Sequence, residues 1–177
     1  MLFRSLPMLS NGKLLSTANA RYREEGAPFA PTFMKSWRAA YRVIVVVSWF
    51  YEFDSRVKPQ VPYAVFSLER PFWMLAALAW PFARPKEGCP VSVAIITVNP
   101  NRILKSIGHH RSPAILQTAE ECAAWLRGND KEAEELLRPH PSEAMGVEPV
   151  PMAIKIPGNQ DVRLPGILTR AGDRYTG

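Results

Sequence analysis

Proline constrains this chain more than any other residue. Seventeen prolines stand against ten glycines in 177 residues. A proline lacks a backbone donor and has a fixed φ, so it stops a helix and sits poorly inside a sheet. Their spread argues against long helices and for strands joined by stiff turns. The remaining composition, 47% hydrophobic and 21% charged, is that of a globular chain able to bury a core. The length fits one domain.

The longest apolar run, residues 43–53, is interrupted by Glu52, and no run reaches the length of a membrane span. Residues 43–50 are β-branched and then aromatic, without polar alternation, which predicts a strand buried on both faces. Residues 63–67 read as the returning strand of a hairpin, across a polar loop at 54–62. Residues 72–79 and 91–98 predict two further strands, with 81–90 as a loop between them. Short strands are expected at 14–18 and 113–116, and a late one within 147–156. Asn11-Gly12 is a turn signal. Residues 32–41 predict a short helix capped by Thr32, with Phe33, Trp37 and Tyr41 on one face. Thr118-Ala119-Glu120-Glu121 has the capping-box pattern and opens a helix to about Arg127, ended by Gly128. Asp130 is expected to cap another helix, to Leu137. The fold class is α+β: a strand-dominated mixed sheet, with helices at the periphery.

The formal net charge of +6 favours polyanionic partners such as nucleic acid, through release of phosphate counterions. Met1 to Pro7 lacks the apolar stretch and cleavage site of a signal peptide, so a cytoplasmic protein without membrane association is expected. Two cysteines, Cys89 and Cys122, make neither a disulfide framework nor a zinc site, and both read as structural. No metal and no cofactor are expected, and the chain reads as a monomer.

Three separated segments carry side chains capable of chemistry. Glu52 ends an almost wholly apolar run, Trp49-Phe50-Tyr51-Glu52. Within a buried strand, ionisation there is costly, which suits a carboxyl that moves protons near neutral pH. Equally, Glu52 can stand at a solvated strand end, paired with Arg56 or Lys58. His109-His110-Arg111 combines imidazoles that titrate near physiological pH with a guanidinium that can hold phosphate. It is also what a surface turn with two histidines looks like. Asn19-Ala20-Arg21 offers an amide and a fork of donors. Aromatic and basic residues are interleaved at Trp37-Arg38, Tyr41-Arg42 and Arg70-Pro71-Phe72-Trp73, a mixture that suits stacking on unpaired bases as well as core packing.

In order and spacing these segments resemble the SOS response-associated peptidase (SRAP) family, whose members handle abasic sites in single-stranded DNA. Asn19-Ala20-Arg21 matches the family's Asn-Ala-Arg motif. Trp49-Phe50-Tyr51-Glu52-Phe53 is similar to its aromatic-aromatic-Glu-Trp motif, with Phe53 replacing tryptophan. His109-His110-Arg111-Ser112-Pro113 is similar to its His-Asp-Arg-x-Pro motif, with His110 replacing aspartate. Pro62-Tyr63, the segment from Trp73 to Trp80, Ile95-Ile96-Thr97 and Trp125-Leu126 follow in family order, and Asn159 and Gln160 fall near a late Asn-rich turn.

The resemblance implies a barrel-like fold over residues 1–168, incomplete at its N-terminus, and a frayed tail at 169–177. It implies catalytic roles for Asn19, Glu52 and His109. Arg21, Arg111, Trp37, Trp73 and Thr97 would meet DNA. In the family an amino-terminal cysteine attacks the aldehyde of an abasic deoxyribose, first as a Schiff base and then as a thiazolidine. The same cysteine is thought to remove the initiator methionine, hence the word peptidase. Here Leu2 follows Met1, and Phe3-Arg4-Ser5-Leu6-Pro7 aligns with an internal Trp-Gly-x-x-Pro segment. The implied function is therefore abasic-site recognition in the DNA-damage response, nucleoid-associated when bound to DNA. The alternatives are a non-covalent DNA-binding remnant, or a hydrolase or peptidase using Glu52 and His109.

Overall fold

The computed structural model describes residues 8–10, 13–15, 18–54, 56–86 and 89–152. The first strands are β1 (Met8–Ser10), β2 (Lys13–Leu15) and β3 (Asn19–Arg21), followed by helix α1 (Pro31–Arg38). Then come β4 (Arg42–Val47), β5 (Trp49–Asp54), β6 (Val61–Ser67), β7 (Trp73–Lys86) and β8 (Cys89–Val98). Helix α2 (Arg102–Ser106) precedes β9 (Ser112–Pro113) and β10 (Ile115–Leu116). Helices α3 (Ala119–Arg127) and α4 (Asp130–Glu135), a 3-10 turn at Ser142–Ala144 and β11 (Met145–Pro149) complete the described elements. The expected turn at Asn11-Gly12, the late Asn159-Gln160 turn and the 169–177 tail lie outside the described residues.

The class is α+β, as the sequence predicts, and among the described residues the sheets are not closed into a barrel. The backbone forms two compact units. The first holds Met1–Val46, Met74–Asn99 and Arg111–Pro139; the second holds Val47–Trp73, Pro100–His110 and His140–Gly177.

In the first unit a six-stranded sheet runs β10-β7-β8-β3, with β4 also paired to β7 and β9 to β8. Strand β3 lies parallel to β8, Asn19 opposite Ile95 and Arg21 opposite Thr97. Ala20, Ala76 and Ala114 are fully buried, and with Leu78, Ile96, Val98 and Leu116 they form the core. Over these residues pack Phe29, Trp37 and Trp125, with ring centroids 5.2 Å apart for Phe29–Trp37 and 6.1 Å for Trp37–Trp125. Such tilted aromatic contacts add to the area they bury. The Trp125 indole N–H donates to the Val43 carbonyl at 2.9 Å, so its polar atom is satisfied inside the core. The buried Arg42 guanidinium lies over the Trp37 ring and donates to the Gly128 carbonyl and to Asp130. A buried charge persists when it is paired in this way. Tyr22 donates to Glu134 at 3.0 Å, and burial followed by that bond raises its phenol pKa to about 12.

The second unit is built on an antiparallel sheet, β11-β6-β5. Ala64 and Phe66 form its small core with Trp49, Tyr51 and Val150. Gly146 lies directly opposite Phe66, and a Cβ there would meet the ring at 2.5 Å. The glycine lets the two strands close over that ring.

Several local expectations are corrected. Helix α1 begins one residue early, at Pro31, and the cap position is Ala30, with no side-chain bond from Thr32. Proline suits that first position, because its missing N–H would have had no partner there. Tyr41 lies beyond the helix and is exposed, because the helix ends at Arg38 and Ala40 takes a positive φ of 51°. The run 43–50 is not one strand buried on both faces. It breaks at Ser48 into β4 and β5, which join different sheets, and Val46 is 62% exposed. The supposed loop at 81–90 is largely strand: Pro81 pairs in register with Val91, and an irregularity follows before Lys86. Bulged or irregular pairing is where a sheet accommodates proline. The last helix is capped by Asn129, not Asp130, in a reciprocal capping box with Glu132. Thr118 caps α3 as expected, but Glu121 accepts from the Gln117 N–H at 2.5 Å, so the box does not close on Thr118 itself.

Cap substitutions distinguish these assignments. Asn129→Ala and Thr118→Ala should each cost about 1 kcal/mol in urea unfolding, the usual loss for an N-cap side chain. Thr32→Ala should change stability by much less than either.

Candidate functional site

Glu52 lies on β5 opposite Tyr63 of β6, so the hairpin fixes its direction. His109 arrives from a different part of the second unit. Asn101 caps α2 by accepting from the Leu104 N–H at 3.0 Å, and its own amide donates to the His140 carbonyl at 3.0 Å. The helix is then closed by two backbone bonds, Gly108 N–H to Lys105 O at 3.0 Å and His109 N–H to Leu104 O at 2.9 Å. Gly108, at φ 75°, turns the chain. This reversal brings His109 Nε2 to 2.6 Å from Glu52 Oε2, with the two side chains 29% and 17% exposed. A carboxylate and an imidazole at that separation, still open to solvent, can pass a proton to or from a bound group. The adjacent His110 is exposed, so of the two histidines it is His109 that meets the acid.

The competing partner for Glu52 is occupied elsewhere. Arg56 grips Asp54: Nε donates to Oδ1 at 2.9 Å, Nη2 to Oδ2 at 2.7 Å, and the Arg56 backbone N–H to Oδ1 at 3.0 Å. The side-chain bond from Arg56, then the backbone bond, hold the Asp54 carboxyl down at a pKa of about 2.

In the first unit, Asn19 and Arg21 are exposed while Ala20 between them is fully buried. Alternation along β3 therefore puts the amide and the guanidinium on one outer face. Thr97 and Arg111 do something different from what the sequence suggests. Arg111 Nη2 donates to the Tyr22 carbonyl at 3.0 Å and to the Thr97 carbonyl, and Nη1 donates to Asn99 Oδ1 at 3.2 Å. Its Nε reaches Thr97 Oγ1 at 3.5 Å. Most of this fork ties β3 to the end of β8, and Thr97 is buried beneath it. Burial first, and then the neighbouring Arg21 charge, lower the Arg111 pKa. An anion beside Arg21 would relieve that repulsion.

Trp37 and Trp73 are not available as stacking platforms. Each is 3% exposed. Trp37 is enclosed by Phe29, Trp125 and Arg42, and Trp73 meets His140 edge-on at 5.1 Å. Basic–aromatic interleaving in sequence does not reveal which rings the core takes. Tyr22, Asn99, Asp54 and Arg56, which support the site residues, carry no sequence motif. Thus Glu52 and His109 meet in the second unit, and Arg21, Thr97 and Arg111 cluster in the first, which also holds Asn19. Among the described residues, no group of three or more His, Cys, Asp or Glu could hold a metal, and no helix is long and apolar enough to cross a membrane.

The Asp54–Arg56 pair sets an acid limit. An unfolded aspartate takes up its proton near pH 3.9, to order of magnitude, whereas folded Asp54 resists to about pH 2. The stabilisation is full above the unfolded value and is lost as pH falls toward the folded one. Urea titrations across that window should show stability falling with acidity. Asp54→Asn should lower stability at neutral pH and flatten the fall.

Comparison with known proteins follows the same lines. A family model described as SOS response associated peptidase (SRAP) matches residues 5–157. No curated protein matches the chain. Among solved structures, a protein from Bacteroides thetaiotaomicron is similar at 24% identity and a TM-score of 0.60, over 76% of this chain and 59% of that one. A protein from Bordetella bronchiseptica is similar at 22% identity and a TM-score of 0.63, over 75% of this chain and 65% of that one. A phage-related protein from Bordetella bronchiseptica is similar at 20% identity and a TM-score of 0.52, over 83% and 78%. At these identities the likeness is one of fold. The chain spans less than two thirds of the first two structures' length.

Proposed function

The chain belongs to the SOS response associated peptidase family, and we propose that it recognises abasic sites in single-stranded DNA. Membership associates it with the response to DNA damage. The observation that carries the finer reading is the 2.6 Å contact between Glu52 and His109. An abasic deoxyribose interconverts between a ring-closed hydroxyl form and an open aldehyde, and each interconversion moves a proton. The acid–imidazole pair is suited to that transfer. On the outer face of β3, Arg21 would hold a phosphate of the strand and Asn19 would contact the DNA through its amide, while Arg111 would keep β3 in place. We propose that residues 1–168 act as one monomeric domain in this role.

These side chains need no nucleophile from the chain terminus in order to bind. Covalent capture as a thiazolidine needs the amine and thiol of an amino-terminal cysteine, whereas recognition by these side chains does not. The purified 177-residue chain should therefore prefer an abasic oligonucleotide to the intact strand, in a complex that salt dissolves. No band should survive denaturant. Equal affinity for intact and abasic strands would refute the proposal. Arg21→Ala should weaken binding and reduce the salt slope by about 1, as for a single phosphate contact.

A second reading rests on the same contact: the pair activates water, and the chain is a hydrolase or peptidase. General acid–base groups contribute roughly 10²–10⁴-fold to a rate. Glu52→Gln would then lower turnover by roughly that factor while leaving oligonucleotide affinity unchanged. On the first reading, Glu52→Gln reduces the preference for the abasic strand.

A further inference from the structure

Around the Glu52–His109 contact lies a second set of residues that no motif marks. Asp54 stands two positions after Glu52 on β5, so both carboxylates leave the same face of the strand. Arg56 engages both oxygens of Asp54 and, through the same Nη2, donates to the Ser106 carbonyl at 2.9 Å. Ser106 is the last residue of α2. The fork thus fastens the end of β5 to the end of the helix that delivers His109. Gly108 lies against this bridge. A Cβ on it would stand 2.5 Å from Arg56 Nε and 2.7 Å from Asp54 Oδ1, and its φ of 75° is itself unfavourable for any other residue.

From this geometry we infer that Asp54, Arg56 and Gly108 are positioning residues, which together set His109 on Glu52. The bridge fixes where α2 ends relative to β5. The bare Gly108 lets the turn press onto the bridge, and the next residue then falls opposite the carboxylate two positions back along the strand. Exposed ion pairs contribute little to stability as a rule, but a bidentate Arg–carboxylate fork fixes direction. Its consequence here is orientation. The depressed Asp54 pKa keeps the fork ionised through neutral and mildly acidic pH. The catalytic importance of this device rests on the functional reading above; the device itself does not.

The test uses the full chain with ¹⁵N-labelled histidine and no DNA. The Nε2–H proton of His109, held by Glu52, should give a downfield resonance, identified by its loss in His109→Gln and in Glu52→Gln. Arg56→Ala and Gly108→Ala should lose that resonance while far-UV circular dichroism stays unchanged. Arg56→Lys keeps the charge but lacks the planar fork that grips both Asp54 oxygens, and should lose it too. If Arg56→Ala fails to fold, Arg56→Lys and Asp54→Asn carry the same test. Persistence of the resonance in the folded Arg56 and Gly108 variants, with its loss in Glu52→Gln, overturns the inference. Because no oligonucleotide is present, failure of abasic-site binding leaves this result standing and refutes only the functional reading.

Discussion

Two carboxylates on one face of β5 find different partners, and the site depends on that allocation. Asp54 takes the guanidinium of Arg56, and Glu52 takes the imidazole of His109. The opposite allocation would neutralise Glu52 with a cation that cannot exchange a proton near neutral pH. Sequence proximity alone makes Glu52 and Asp54 equal candidates for Arg56. The backbone bond from Arg56 N–H to Asp54 Oδ1 decides between them, because a tight turn favours the carboxylate two residues back.

Arginine serves the first unit in a similar way. Arg42 and Arg111 are both turned inward, the former onto Trp37 and the Gly128 carbonyl, the latter onto the carbonyls of Tyr22 and Thr97. Guanidinium suits this use, since it is planar, permanently charged and carries a fixed array of donors. A net charge of +6 therefore overstates what the surface offers to a polyanion. The cation at the family motif that does face outward is Arg21, on the outer face of β3.

Much of the local structure was legible from the chain. The hairpin of β5 and β6, the Thr118 cap and the strand at 91–98 follow from β-branched runs and capping chemistry that act within a few residues. Glu52 and His109 were also legible as candidates, being titratable groups beside apolar or cationic neighbours. The strand boundary at Ser48 was not, since an unbroken run of β-branched and aromatic residues carries no mark of a change of sheet. Nor was the burial of Trp37 and Trp73, because an indole suits a core as well as a nucleobase.

By itself, the sequence determined the α+β class, the family and the identity of the chemically capable side chains. These depend on propensity and on ordered motifs, which are properties of short segments. Tertiary structure alone decided that Glu52 faces His109, that Arg111 is a clamp on backbone carbonyls, and that the two tryptophans are core. The reason is physical: a charge or a ring is assigned its partner by distance in space, and residues far apart in the chain acquire that distance only when the sheets and turns between them have formed.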